Sequence, residues 1–307
     1  MKKVLSISLG SSKRDHQVET EILGEKFKIE RRGTDGDQEE AYRLFTELDG
    51  QYDAFGLGGI DLYLYTKNRR YVFKDARRLI KNVKKTPAVD GSGLKNTLEK
   101  MVIDYLNNEY GLNFNRKKVL MVSAVDRFGM AQAFESAGAE LIIGDLIFAL
   151  GIPIPIHSLK ALHVVATTLL PLITRLPFEL VYPTGNKQEN SDTEKAVYTR
   201  YYREADVIAG DFHFIKRYLP DRLEGKIIIT NTITDNNIME LKKRGTAVLV
   251  TTTPELEGRS FGTNVMEGVL VALAGKRPEE LSEKDYLGLL ERMDFKPRIV
   301  NFKEGVV

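Results

Sequence analysis

The sequence predicts an α/β protein of two domains, the second a doubly wound, Rossmann-like parallel sheet. Beyond residue 116, short apolar runs recur at Val119–Val122, Leu141–Ile143, Val207–Ala209, Ile227–Ile229 and Val248–Val250, and helical segments separate most of them. That alternation belongs to a sheet wound by crossover helices. Val119–Val122 has no polar face, so it needs cover on both sides, as an interior parallel strand does. Polar residues follow each run: Ser123 and Asp126, Asp145, Asp211 and His213, Asn231 and Thr232, Thr252 and Thr253. They form one row of loops at the carboxyl edge, where open α/β sheets hold ligands.

The first half opens with a strand at Val4–Leu9, which runs into Gly10, Ser11, Ser12, Lys13 and Arg14. This small, then basic loop can take an anion through Ser11 and Ser12, but lacks the lysine spacing of a P-loop. Glu19–Arg32 reads as a hairpin around Leu23 and Gly24, Gln38–Leu48 as a helix, and Ala54–Leu57 as a strand ending in Gly58, Gly59, Ile60 and Asp61. Leu62–Phe73 reads as a second hairpin around Lys67 and Asn68, and Asp75 as the cap of a helix reaching Val83.

Pro87–Val89 is a short strand, followed by Asp90, Gly91, Ser92, Gly93, Leu94, Lys95 and Asn96 at the start of a helix to about Tyr110. Two readings stand here. Lys95 can hold the carboxylate of a polyhydroxylated acid and Asp90 and Asn96 its hydroxyls, with Ser92 beside them and Lys95 and Asp90 the candidates for base and clamp; or Ser92 is simply a helix cap. The polar stretch Asn113–Arg116 marks the domain boundary, giving a substrate domain over 1–115 and a Rossmann-like domain over 116–307.

The turn after Val119–Val122 holds the nearest thing to a dinucleotide loop. Ser123, Ala124, Val125 and Asp126 stand where the fingerprint has its first glycines, and only Gly129 keeps its place. Ser123, Asp126, Arg127 and Gly129 therefore form either a phosphate site or an ordinary turn. Further along, Arg259 and Thr263 precede the apolar helix Val265–Ala274 and are a second candidate for an anion, set against plain capping. Asp211 and His213 are candidates for proton transfer or for a structural network. Tyr182–Gln188 is a lid or a surface loop.

With 307 residues, 42% of them hydrophobic, the chain can bury large cores. A formal charge of +2 calls for no nucleic acid, and the cluster Lys81, Lys84 and Lys85 reads as a solvated helix end. The lack of cysteine removes disulfides and thiolate metal sites, and no metal site is expected. The longest apolar stretch, Leu159–Leu176, is broken by Lys160, His163, Pro171 and Arg175 and is shorter than the ~20 residues of a membrane span. The expected setting is cytoplasmic, with a small-molecule substrate, no membrane or nucleic-acid partner, and room for a homo-oligomer.

The strings SLGSSKRD (Ser8–Asp15), GLGGIDLYL (Gly56–Leu64) and VDGSGLKNTLE (Val89–Glu99), then VSAVDRFGMA, AGDFHFI and TTTPELEGRSFGTNVMEGVL, carry a family likeness. Almost end to end, the chain resembles the bacterial quinate 5-dehydrogenase family. The resemblance implies kinship with shikimate and quinate dehydrogenases: a substrate domain, an NAD or NADP domain, and a catalytic lysine and aspartate. Neither the lysine motif of shikimate dehydrogenases nor a glycine-rich cofactor loop matches, so no catalytic residue is carried over. The expectation is NAD(P)-dependent oxidation of an alicyclic hydroxy acid in a cleft between the domains, with Lys95 and Asp90 as the chemical groups. The alternative, supported by the missing glycines, is a non-catalytic protein that binds or senses a small anion or nucleotide.

Overall fold

The computed structural model describes residues 1–66, 69–174, 192–253, 255–256 and 259–302. Its chain forms two compact units. The first comprises Met1–Thr97 and Glu255–Phe295 with a short segment from Pro171; the second comprises the described residues of Leu98–Leu170, Glu179–Pro254 and Lys296–Val307. The sequence placed the boundary after residue 115, whereas the division falls inside a helix, at Thr97 and Leu98, and the chain returns to the first unit near its end. Asn113–Arg116 is polar because it is a turn within the second unit: Asn113 and Arg116 both have positive φ.

In the first unit, strands β1 (Lys2–Ser8), β2 (His16–Ile22), β3 (Glu25–Gly33), β4 (Ala54–Gly58) and β7 (Ala88–Val89) form one sheet in the order β2-β3-β1-β4-β7. The hairpin β2–β3 turns at Leu23 and Gly24, both at positive φ. β3 then lies parallel to β1, and β4 parallel to β1 on the other side. A smaller hairpin joins β5 (Tyr63–Thr66) to β6 (Arg69–Val72); Lys67 and Asn68, its expected turn, lie outside the described residues. Helix α1 (Gln38–Glu47) starts at Asp37, whose carboxylate accepts from the amides of Glu39 and Glu40. Its Phe45 meets Phe55 of β4 edge-on at 5.5 Å. Helix α2 (Lys74–Leu79) begins at Phe73 with no side-chain cap, so Asp75 sits in the first turn instead of capping it. Helix α3 (Ser92–Asn108) crosses from this unit to the next.

The second unit contains β8 (Lys118–Met121), α4 (Phe128–Ser136), β9 (Glu140–Ile143), α5 (Asp145–Phe148), α6 (Leu159–Ile173) as far as Leu170, α7 (Asp192–Glu204), β10 (Val207–Gly210), α8 (Phe212–Arg217), β11 (Ile227–Thr230), α9 (Asp235–Lys243) and β12 (Val248–Thr251). These five strands are parallel, in the order β12-β11-β10-β8-β9. β8 is interior, parallel to both neighbours, as its unbroken apolar run requires. The apolar residues Leu120, Ile142, Ile208, Ile228 and Leu249 share one cluster with Phe148, Tyr198, Tyr202 and Phe212. Pro171 falls in the last turn of α6, which ends two residues later, at Ile173. No described helix is long and apolar enough to cross a membrane.

After β12 the chain forms the short hairpin β13 (Glu255–Leu256) and β14 (Arg259–Ser260), then α10 (Thr263–Ala274) and α11 (Glu283–Arg292) in the first unit. Helix α10 packs over β1, β4 and β7, with Val265 and Val269 against Val4, Ala54 and Val89. Gly268 allows the close approach: a Cβ there would lie 3.0 Å from Val4. The last strand, β15 (Arg298–Asn301), pairs antiparallel with β12 at the edge of the second sheet.

Candidate functional site

The strand order fixes where each sheet opens. In the second unit β9 lies on one side of β8 and the next strand, β10, on the other, so connections leave β8 and β10 in opposite directions, and their carboxyl ends stand where open α/β sheets place a ligand crevice. Ser123–Arg127 follows β8 and Asp211 follows β10, so the sequence-predicted residues are brought to this point. Asn231, after β11, joins them.

Arg127 is fully buried and lies among three carboxylates. It pairs with Glu99 of α3 through Nη1, with Asp211 at 3.3 Å through Nη2, and with Asp126 at 3.9 Å through Nε. Asp211 Oδ2 also accepts from Asn231 Nδ2 at 2.8 Å. Burial alone would raise the pKa of Asp211, but the charges of His213 and Arg127 and the amide donors outweigh it and hold the group below the usual carboxylate range. His213 is linked to Asp211 by its backbone amide, 2.8 Å from Oδ1, which caps α8; its ring side is exposed. The pair is thus a helix cap and not a carboxylate–imidazole dyad. Ser123 is buried, and its hydroxyl has no hydrogen-bond partner.

The turn after β8 is the place to test for a dinucleotide. Its amides Ala124 N–H and Val125 N–H donate to the carboxylate of Asp145, at 2.9 and 2.8 Å. Asp145 heads α5 just after β9 and is pushed up to about 6 by burial. This carboxylate takes the donors a pyrophosphate would need. Arg127 is committed to Glu99 and Asp211, Asp126 adds a negative charge, and Gly129 is buried in the first turn of α4. NAD or NADP does not fit. Of the expected cofactor set Ser123, Asp126, Arg127, Gly129, Arg259 and Thr263, the last two belong to the first unit. Thr263 is buried beneath Gly91, and the side chain of Arg259 lies outside the described residues, as does the expected lid at Tyr182–Gln188.

In the first unit, the two expected chemical groups, Lys95 and Asp90, each have partners of their own. Lys95 Nζ donates to Asp61 at 2.8 Å, and both side chains are largely enclosed. Asp90 is buried and accepts from the amides of Leu62 (2.6 Å), Tyr63 (2.9 Å) and Ser92 (3.0 Å) and from the Ser92 hydroxyl (2.5 Å). Burial, then the charge of Asp61, raises its pKa. Asp90 therefore ties the segment after β4 to the end of β7, and Ser92 is spent on Asp90; neither is held ready for substrate. Asn96 is half-buried in the same helix. Ser11 caps the 3-10 turn Ser12–Arg14, and the Ser12 amide donates to Asp35 at 2.9 Å, so these serines shape their own loop. Glu267 of α10 is buried beside Asp90, accepts from Tyr286 at 3.0 Å, and is pushed up to about 8 by burial and by Asp90.

Sequence reasoning missed Glu99, Asp61, Glu267 and the role of Asp145. Glu267 had one signal, a lone acid within an otherwise apolar helix stretch.

Residues 93–302 match the model of a family described as a domain of unknown function (DUF8754). The chain belongs to this family. Residues 3–90 match a second model, also a domain of unknown function (DUF8753). No curated protein matches the chain. Among solved structures the chain is similar to an ABC transporter solute-binding protein from Burkholderia multivorans, with 11% identity, a TM-score of 0.40, and coverage of 98% of this chain and 99% of that one. It is also similar to the solute-binding protein of a 5-methylthioribose transporter from Thermotoga lettingae (8% identity, TM-score 0.40, 98% and 86%). A third is a glucose-galactose binding protein from Geobacillus stearothermophilus (10% identity, TM-score 0.38, 100% and 99%). The expectation of a nicotinamide-dependent oxidoreductase is corrected by the turn that should receive the cofactor, which is filled by Asp145.

Proposed function

We propose that this DUF8754 protein binds a small, hydroxyl-bearing molecule at the β8/β10 crevice of its second unit and does so without redox chemistry. The observation that supports it is the closure of the β8 turn by Asp145 together with the neutralised Arg127. The crevice is lined by the carboxylates Asp126 and Asp211, beside the side-chain amide of Asn231. Carboxylates and amides of this kind recognise hydroxyl groups, which both donate and accept, whereas they repel phosphate. Asp211 stays ionised through the neutral range, so it offers no general acid there.

Calorimetric titration of the whole chain with a panel of neutral sugars and polyols, beside NAD and NADP, tests this. A saturable heat with a polyol is expected, weakened by about 1.5–3 kcal/mol in Asp126→Ala, the scale of a hydrogen bond to a charged group. Micromolar binding of either nicotinamide cofactor, or silence across the whole polyol panel, would overturn it.

A further inference from the structure

The first sheet has its own switch point. From β1 the chain passes through the β2–β3 hairpin to one side, then crosses to β4 on the other, so the loop after β1 stands where the strand order reverses, the place where open α/β sheets hold ligands. Gly10 stands at the end of β1, and Gly59 faces it: a Cβ on Gly59 would lie 3.2 Å from the Gly10 amide nitrogen. Two guanidinium groups converge over Gly10. A Cβ on that residue would lie 2.6 Å from Nη2 of Arg14, 3.1 Å from Nη2 of Arg31 and 3.2 Å from the Ser8 hydroxyl.

The two arginines are held differently. Arg31 rises from β3, and its Nη1 donates to the Ser11 carbonyl at 3.0 Å and to Asp15 at 2.7 Å. Its Nη2 is buried and has no hydrogen-bond partner. Arg14 is exposed at the end of the 3-10 turn, and its guanidinium has no hydrogen-bond or ion-pair partner among the described residues. Asp15 is shared, since it also accepts from the Gly33 amide at 2.6 Å, and Asp35 is engaged by Ser12. Burial and the charge of Arg14 lower the pKa of Arg31, so the pair is held together against repulsion.

We propose that Gly10, Arg14 and Arg31, with the Ser8 hydroxyl, form a binding site for the oxyanion of a small ligand, a phosphate or a carboxylate. An oxyanion above Gly10 supplies the acceptor that Arg31 Nη2 lacks and bridges two guanidinium forks whose planar donors match such groups. Gly10 is needed because any side chain would stand in the space where the two forks meet. This site lies in the first unit and does not depend on polyol binding in the second.

The test is calorimetry on the whole chain at physiological ionic strength, in one arm with inorganic phosphate and in the other with succinate. Saturable 1:1 binding is expected in at least one arm, and which arm identifies the group. Arg14→Gln, at an exposed position, should weaken it at least tenfold. Gly10→Ala, which leaves every charge in place, should weaken it at least fivefold by displacing the guanidinium tips. Lys13→Gln, an exposed neighbour on the same turn, should remain within twofold of the parent. Absence of saturable binding in both arms overturns the proposal, as does a loss in Lys13→Gln equal to that in Arg14→Gln, which would mark diffuse surface charge. Polyol binding should be unchanged in Arg14→Gln, so failure here is separable from failure of the reading for the second unit.

Discussion

A guanidinium as enclosed as that of Arg127 is stable only while its carboxylates stay beside it, because desolvating an unpaired ion costs several kcal/mol. Arg127→Met leaves Glu99 buried and unpaired, and should cost about 3–5 kcal/mol in urea unfolding. Adding Glu99→Gln to the same chain should recover part of that loss, since the orphaned charge is gone. Glu267 gives the complementary case. Its folded pKa, about 8, lies above the ordinary 4.5, so the folded state favours the protonated form. The associated stability is complete below about pH 4.5 and is lost as pH rises through 8. Glu267→Gln keeps an acceptor for Tyr286 and has nothing to ionise. Relative to the parent, it should therefore gain ~2 kcal/mol or more in unfolding free energy between pH 5 and pH 8.5. At this scale the sequence was least legible. It identified Lys95, Asp90, Arg127 and Asp211 as unusual, but the partner of a charge is set by tertiary contact: Asp61 is 34 residues from Lys95, and Asp211 is 84 from Arg127.

Helix ends and interiors respond to glycine in opposite ways. Gly275 ends α10 at φ 63°, in the left-handed region, so Gly275→Ala should cost about 1 kcal/mol. Gly288 sits inside α11 with open space at its Cβ position; Gly288→Ala should stabilise by about 0.4–1 kcal/mol, chiefly by restricting the unfolded chain. Thermal and urea unfolding of the two variants, with opposite signs expected, checks both. Elements were far more legible than partnerships. The five apolar runs of the second half are β8 to β12, because a strand buried on both faces must be apolar throughout. The hairpin β2–β3 was readable from its turn, yet its parallel docking on β1 was not, since nothing local specifies which edge a hairpin meets. β15 went unread: RIVN is half-buried throughout and follows no apolar run.

At the scale of the molecule, the alternation of strand and helix was enough to give two α/β units, but not where one stops. The family models divide near residues 90–93, close to the passage of α3 from one unit to the other. The longer model nevertheless includes α10 and α11, which pack in the first unit. Both sheets carry a switch point lined with ionic groups of opposite character, arginines at β1 and carboxylates around β8 and β10. The two proposed sites therefore call for chemically different ligand groups. The late return of α10 also bears on synthesis. β1, β4 and β7 leave the ribosome within the first 89 residues, but the helix that covers Val4, Ala54 and Val89 is complete only at Ala274. At a synthesis rate of about 5–20 residues per second, that face of the nascent chain waits roughly ten to forty seconds for its cover. Meanwhile β8 to β12 emerge and pair, so the sheet made earlier is the one that must be kept from aggregating longer.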